Sequence, residues 1–106
     1  MPIHIELNLE QELLLTIEGS YSLEDIETSI VEGLGLGDCN RLILDFSEAR
    51  QDRTTIELER LTQLISRHVP GVVLVVADIL YYGFARSMQA FGNSYGLRVE
   101  IDYRQP

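Results

Sequence analysis

The fold of this chain is decided by the stretch Gly71-Val72-Val73-Leu74-Val75-Val76-Ala77-Asp78 and by the segment 79–95 that follows it. The stretch is an unbroken apolar run rich in β-branched residues, which is typical of a strand covered on both faces. The following segment is predicted to be a helix, because apolar residues recur in it at steps of three or four. Those residues are Leu80, Phe84, Met88, Phe91 and Tyr95. A strand followed at once by such a helix is half of a parallel βαβ unit.

Upstream of this unit, the sequence pattern predicts a hairpin and a first helix. Residues 3–9 alternate between apolar and polar, as in a half-buried strand, and residues 13–18 are predicted to form a second strand antiparallel to it. Ser22 followed by Asp25 resembles a capping box, which predicts a helix beginning there. The three glycines of Gly33-Leu34-Gly35-Leu36-Gly37 follow that helix, so they indicate its C-terminal end and not a nucleotide-binding loop.

The remaining pattern completes an α/β fold in the order ββαβαβαβ. Residues 41–46 form a short apolar strand, Thr54 with Glu57 three residues later begins a second helix, and residues 97–103 alternate as an edge strand does. We therefore predict one domain over 1–106 with a mostly parallel five-stranded sheet and an antiparallel N-terminal edge strand. Right-handed crossovers between sequential strands would place every helix on one face. The other face is then predicted to be covered by a second copy or by an apolar molecule.

The bulk composition excludes several classes of partner. The net charge is −9, with 17 acidic residues against 8 basic ones, all of them arginine. This charge opposes general binding to nucleic acid or to anionic lipid, because both depend on a basic surface. The single cysteine cannot form an internal disulfide, no signal peptide is visible, and no apolar run approaches the ~20 residues of a membrane span. These features predict a cytoplasmic domain.

The candidate site lies where the loops following the central strands meet. In an open parallel sheet, ligands bind beyond the carboxyl ends of the strands. The polar and aromatic side chains predicted to gather there are Asp45, Ser47, Thr54, Thr55, Asp78, Tyr81, Tyr82 and Arg86. Because Asp45 and Asp78 are predicted to end adjacent strands, their carboxylates could lie within several ångströms of each other.

This group of residues has limited catalytic potential. Two aspartates perform acid–base chemistry when burial separates their pKa values, but they also cap loops and pair with arginines. No histidine belongs to the group, Cys39 lacks a neighbouring activator, and two carboxylates are a sparse metal-ligand set. We predict no catalysis, no cofactor and no metal. The hydroxyls of Thr54 and Thr55 at a helix N-terminus suit either a cap or a phosphate.

A family resemblance rests on two stretches of the chain. Leu42-Ile43-Leu44-Asp45-Phe46-Ser47, followed by Asp52-Arg53-Thr54-Thr55, resembles the STAS domain of anti-sigma-factor antagonists. Residues 75–78 and 82–88 are similar to the SpoIIAA-like family of small bacterial proteins, whose fold resembles that of lipid-carrying SEC14 domains. The resemblance implies a SpoIIAA-like fold. It also implies that Thr54, with Thr55 beside it, matches the serine that a partner kinase phosphorylates in the antagonists.

Three functional hypotheses follow. The leading one is a non-catalytic regulatory module that binds a protein partner, forms a homodimer and is switched at Thr54 or Thr55. The alternative is a carrier or sensor of a small apolar ligand, suggested by the aromatic residues around positions 81–91. The third is an enzyme that uses Asp45 and Asp78, with Arg86 orienting an anion.

Overall fold

The computed structural model describes residues 3–104 and contains five strands and three helices. The predicted domain boundaries, 1–106, include residues 1–2 and 105–106, which lie outside the described range. The elements, in chain order, are β1 (Ile3–Leu7), β2 (Glu12–Gly19), α1 (Leu23–Leu34), β3 (Arg41–Ala49), α2 (Thr55–Ser66), β4 (Gly71–Val76), α3 (Ile79–Tyr95) and β5 (Arg98–Tyr103). The predicted order ββαβαβαβ is therefore confirmed.

The sheet has the strand order β1-β2-β3-β4-β5, so sequence neighbours are also spatial neighbours. β1 is antiparallel to β2, and every other pair is parallel. Sequential parallel strands joined by right-handed crossovers place their helices on the same face. Leu58 and Leu61 of α2 and Met88 of α3 accordingly line one interior space with Phe46 and Leu74 of the sheet. The fold is a two-layer α/β sandwich, as the sequence pattern predicted.

Both predicted capping boxes are present. The Ser22 hydroxyl accepts a hydrogen bond from the Asp25 amide at 3.0 Å, and the Asp25 carboxylate accepts one from the Ser22 amide at 3.0 Å. Thr54 and Glu57 form the same reciprocal arrangement at the start of α2. These bonds satisfy N–H groups that have no partner within the helix, and they fix where each helix begins. α1 ends at Leu34 with Gly35 as its C-cap, so the glycine-rich stretch is a helix terminus.

The buried face of α3 differs from the predicted stripe by a rotation of about one residue. The residues buried against the sheet are Tyr81, Ala85, Met88 and Gly92, while Leu80 is exposed and only Met88 belongs to both sets. A Cβ added at Gly92 would lie 2.5 Å from the backbone oxygen of Leu97, which shows how closely this helix approaches the segment that leads into β5. Small residues permit that approach. The prediction counted only large apolar residues and was wrong for this reason.

Three strand boundaries also differ from the prediction. β1 ends at Leu7, two residues before the predicted end at Leu9, because a turn begins at Asn8. β3 continues to Ala49, past the predicted end at Phe46, because a register shift opposite Thr16 and Glu18 lets Glu48 and Ala49 pair with β2. A bulge of this kind lets a strand continue through polar residues, although the apolar pattern of the sequence predicts that the strand ends before them. β4 stops at Val76, two residues before the predicted end, since Asp78 becomes the N-cap of α3.

The sheet face away from the helices is polar at its margins. Val73 and Val75 are buried at its centre, and Leu14 and Ile43 beside them are half-buried. The charged residues that alternate onto this face include His4, Glu6, Glu12, Arg41, Asp45, Arg98, Glu100 and Asp102. Among residues 3–104, none of the exposed large hydrophobic side chains lies on this face. The apolar cover predicted from the topology is therefore not required, and the homodimer stays a prediction.

Candidate functional site

The starts of α2 and α3 lie at the end of the sheet where the parallel strands have their carboxyl ends, because each helix follows one of two adjacent parallel strands. The residues preceding both helices are N-caps, Thr54 for α2 and Asp78 for α3. We call the exposed residues of these two starts the helix-start surface, which consists of Thr54, Thr55, Ile56, Asp78, Ile79 and Leu80. This surface includes three residues of the predicted site and three aliphatic residues that the prediction did not include.

The polar groups of Thr54 are already engaged in capping α2. The hydroxyl accepts a hydrogen bond from the Glu57 amide and donates one to Glu57 Oε1, both at 3.2 Å. The Thr54 amide donates to the same carboxylate oxygen at 3.1 Å. This amide and, to a smaller extent, the Arg53 guanidinium hold the pKa of the Glu57 carboxyl below its ordinary value. Thr55, the first residue of α2, is exposed.

The two aspartates of the predicted site do not form a pair at the strand ends. Asp78 Oδ1 accepts a hydrogen bond from the Tyr81 amide at 2.8 Å, which caps α3. Asp45 lies within β3 opposite Val75, and its Oδ1 accepts a hydrogen bond from the Ser47 amide at 2.9 Å. Asp45 is therefore three residues short of the Asp78 level, a separation of about 10 Å along the strand. It also faces the side of the sheet away from the helices. The prediction that Asp45 ends its strand was wrong, because β3 extends beyond it to Ala49.

Tyr81 was predicted to lie on the binding surface, but its side chain is only 4% exposed. Its hydroxyl donates to the Gln51 carbonyl at 2.8 Å and accepts from the Gln51 amide at 3.1 Å. The Tyr21 hydroxyl lies 3.2 Å away and must be the donor, since the one proton of Tyr81 is already used. The ring stacks on Phe46 with centroids 5.5 Å apart. Tyr81 thus fixes the loop that leads to Thr54.

Tyr82 and Arg86 form a separate group on the β5 side of α3. The Tyr82 ring packs against that of Tyr103 at a centroid distance of 4.9 Å. The Arg86 guanidinium donates a long hydrogen bond of 3.4 Å to the Tyr82 hydroxyl. The predicted site residues therefore divide into the two helix starts, the interior, the opposite sheet face and this β5 margin.

Sequence reasoning missed Arg53 and Tyr21. The Arg53 side chain is only 7% exposed, and its guanidinium lies 2.8 Å from Glu57 Oε2. Its centre lies 4.6 Å from the centroid of the Tyr21 ring, and Nη2 donates to the Tyr21 carbonyl. These contacts join the loop before α2 to the loop before α1. The spacing of four between Arg53 and Glu57 is visible in the sequence, whereas the partner 32 residues away is not.

Burial and hydrogen bonding also perturb the Tyr21 phenol. Desolvation is the larger cause and the hydrogen bond with Tyr81 the next, and together they raise the pKa of Tyr21 well above its ordinary range. The phenol therefore stays neutral across physiological pH. Its role is to support the loop, because its hydroxyl is not available to solvent.

Three exposed aliphatic side chains lie on the helix-start surface. Ile56 is 66% exposed, Ile79 is 74% exposed and Leu80 is 48% exposed. They occupy the first turns of two helices that pack side by side. Large aliphatic residues are normally buried, and several exposed together indicate an interaction surface.

The interior behind this surface is filled. The space bounded by Phe46, Leu61, Tyr81, Met88 and their neighbours has a volume of only about 10 Å³. Pockets that bind drug-sized ligands span roughly 300–1,000 Å³. Two of the aromatic residues that suggested an apolar ligand, Tyr81 and Phe84, pack against each other with ring centroids 5.1 Å apart.

Comparison with known proteins adds no assignment. No model of a known protein family matches the chain, and no curated protein matches it either. Among residues 3–104, no helix is long and apolar enough to cross a membrane. Within the same residues, no group of three or more His, Cys, Asp or Glu side chains is placed to hold a metal ion. The resemblance to STAS and SpoIIAA-like domains therefore stays a prediction from the sequence.

Proposed function

We propose that this protein is a non-catalytic, STAS-like interaction module that binds a protein partner through the helix-start surface. The observation that carries the proposal is the exposure of Ile56, Ile79 and Leu80 at adjacent helix starts. Burying one such side chain contributes about 1.5–3 kcal/mol relative to leaving it in water. A partner that covers all three would gain enough to offset part of the entropy lost on association.

The polar groups around these residues support binding over catalysis. Thr54 and Asp78 both accept hydrogen bonds from backbone amides of their own helices. Asp45, the other candidate acid, lies within a strand and accepts from Ser47. These hydrogen bonds fix the local backbone around each side chain. None of the three side chains is paired with a second ionisable group as in an acid–base dyad.

The partner that suits this surface is an apolar protein patch with basic groups at its margin. The chain carries a net charge of −9, which favours a partner of opposite sign and accelerates the encounter. The carrier hypothesis receives less support, because the interior volume of about 10 Å³ holds no ligand of lipid size. The proposal includes a cytoplasmic location and a homodimer. A measurement of the mass in solution would test the homodimer.

A phosphorylation switch at Thr54 forms part of the proposal. A phosphate there would lie at the positive end of the α2 dipole, which favours negative charge. It would also displace the Glu57 carboxylate from its bonds to Thr54 and so disturb the start of the helix. Thr55 is the second candidate, since its side chain is exposed and its modification would leave the capping box in place. Mass spectrometry of protein from its native cell would locate either modification.

The test compares two double variants of equal chemical change. Ile79→Ser with Leu80→Ser removes aliphatic surface from the helix-start surface. Val31→Ser with Leu36→Ser removes equally exposed aliphatic side chains from α1 and the loop after it, elsewhere on the molecule. Partners captured from native lysate with the unmodified chain are purified, and their affinities for all three proteins are measured by calorimetry.

We expect the helix-start variant to bind its partner at least about tenfold more weakly, a change of 1.4 kcal/mol, while the α1 variant binds normally. Far-UV circular dichroism confirms that both variants are folded. The proposal is wrong if the two double variants weaken binding equally, if neither weakens it, or if no partner binds the purified chain.

A further inference from the structure

A second cavity, of about 240 Å³, lies at the amino ends of the parallel strands, whereas the helix-start surface lies at their carboxyl ends. It opens where β3, β4 and β5 begin, and its lining includes Arg41, Gly71 and Arg98 together with Val73 and Glu100. The cavity is thus formed by the amino ends of three adjacent parallel strands. None of these residues belongs to the surface described above.

The register of the strands explains why a cavity exists there. Gly71 pairs with Arg98 on one side, and Leu42 pairs with Val72 on the other, so Arg41 lies level with Gly71. Gly71 therefore lies between two arginines in a row across the sheet, and the missing side chain leaves a depression. Strands are about 4.8 Å apart, which places the two arginine Cα atoms about 10 Å from each other. The stems of both arginines form walls around a glycine floor.

The glycine floor has room for a methyl group. A Cβ added at Gly71 would lie 3.4 Å from the Arg98 backbone oxygen and 3.7 Å from both Arg98 Cβ and Arg98 Nε. These are ordinary contact distances, so alanine is tolerated at this position and would occupy the floor. The 3.7 Å distance also shows that Arg98 Nε lies beside the space that this Cβ would occupy.

The charges around the cavity are only partly balanced. Arg41 lies 3.4 Å from Glu12 and 3.4 Å from Glu100, so its charge is shared between two carboxylates. Arg98 forms no ion pair and no side-chain hydrogen bond within residues 3–104, although the chain as a whole is strongly acidic. A guanidinium offers a planar set of donors that bind a carboxylate or a phosphate in a bidentate manner.

We propose that this cavity binds a compact organic anion whose carboxylate or phosphate group lies over Gly71 against the Arg98 guanidinium. Arg41, whose charge is shared with Glu12 and Glu100, bounds the cavity across the glycine, and Val73 supplies apolar contact. The volume is below the roughly 300–1,000 Å³ of pockets for drug-sized ligands, so the ligand is a small metabolite. The site acts independently of the partner-binding surface, and either proposal can fail while the other stands.

The chain contains a built-in reporter of occupancy. Cys39 is its only cysteine, it is half-buried, and it lies in the lining of the cavity. Alkylation by neutral iodoacetamide, followed by intact mass, therefore measures access to a single thiol beside this cavity. The rate is compared in inorganic phosphate, in succinate and in chloride at one ionic strength. Amide chemical shifts of Gly71 and Val73 give a second readout for an anion that does not cover the thiol.

We expect phosphate or succinate to slow alkylation about tenfold at roughly ten times its dissociation constant, because about a tenth of the sites then stay free. Protection by phosphate alone or by succinate alone identifies which anionic group the site prefers, and either result supports the proposal. Arg98→Gln should raise the dissociation constant at least about tenfold, since it removes a charge-assisted bidentate contact. Gly71→Ala should weaken binding as well, because the methyl group fills the floor.

Matched controls isolate the cavity from general charge and backbone effects. Arg60→Gln removes an equal charge from an exposed position on α2, and Gly83→Ala adds a methyl group where no atom lies within 4 Å. Both control variants should bind as the unmodified chain does. The proposal is overturned if neither anion changes the alkylation rate or the two amide shifts. Equal effects of the anions on Arg98→Gln and on the unmodified chain would overturn it too.

Discussion

Replacing Tyr81 by phenylalanine removes one hydroxyl group and leaves the ring in place, so it measures what that hydroxyl contributes to stability. The hydroxyl is part of three hydrogen bonds, two with the Gln51 backbone and one with Tyr21. Each such bond contributes about 1 kcal/mol net, and a buried group left unpaired costs more. Gln51 is half-buried and recovers part of its loss from water. We therefore expect a loss of about 2 kcal/mol in the free energy of unfolding.

The expected loss is large enough to measure by two methods. The entropy of unfolding is about 2.1 cal/mol/K per residue, or about 0.2 kcal/mol/K for a chain of this length, so Tm should fall by about 9 °C. Urea unfolding followed by far-UV circular dichroism gives the free energy directly, with an unchanged m-value if only the folded state is affected. The phenyl ring of the Tyr81→Phe variant would keep the stacking on Phe46, so the secondary structure should not change.

Tyr82→Phe is the matched control, because Tyr82 is the next residue and its hydroxyl has only a long, exposed hydrogen bond from Arg86. This control should change stability by less than about 0.5 kcal/mol, as surface substitutions do. An equally small effect of Tyr81→Phe would refute the reasoning that the Tyr81 hydroxyl secures the loop. A large effect in both variants would show that the loss does not arise from the loop contacts.

Other substitutions test the packing and the electrostatics of the fold. Gly92→Ala should destabilise by about 1–3 kcal/mol in urea unfolding, because the new Cβ would lie 2.5 Å from the Leu97 oxygen. Gly83→Ala on the same helix should instead stabilise by about 0.5–1 kcal/mol, and equal effects would contradict the packing of α3. The pKa of Glu57 is lowered from an ordinary value of 4.5. Its contribution is therefore present above that pH and is lost as the pH falls through the folded-state pKa. The stability difference between Glu57→Gln and the unmodified chain should shrink below pH 4.5, and a constant difference would exclude this role.

The sequence alone determined the element order, the sheet and the helix starts. These features depend on interactions between residues that are close along the chain. The capping boxes at Ser22 and Thr54 each involve residues three apart, so their pattern can be recognised before any folding. Alternation in β1 and β5 and the apolar run of β4 reflect burial on one face or on both. Sequential parallel strands then leave one handedness for the connections, and this places the helices.

The tertiary structure alone decided which side chains share a site. The close approach of α3 at Gly92 involves Val99 of β5 and Leu97 just before it, and neither residue belongs to the helix. The continuation of β3 past Asp45 depends on pairing with β2, and it separates the two aspartates that the sequence had placed together. Tyr81 is buried because Tyr21, 60 residues away, and the Gln51 loop occupy its surroundings. Long-range packing selects among the faces and ends that local periodicity leaves open, since the periodicity records only that a residue is buried and not against what.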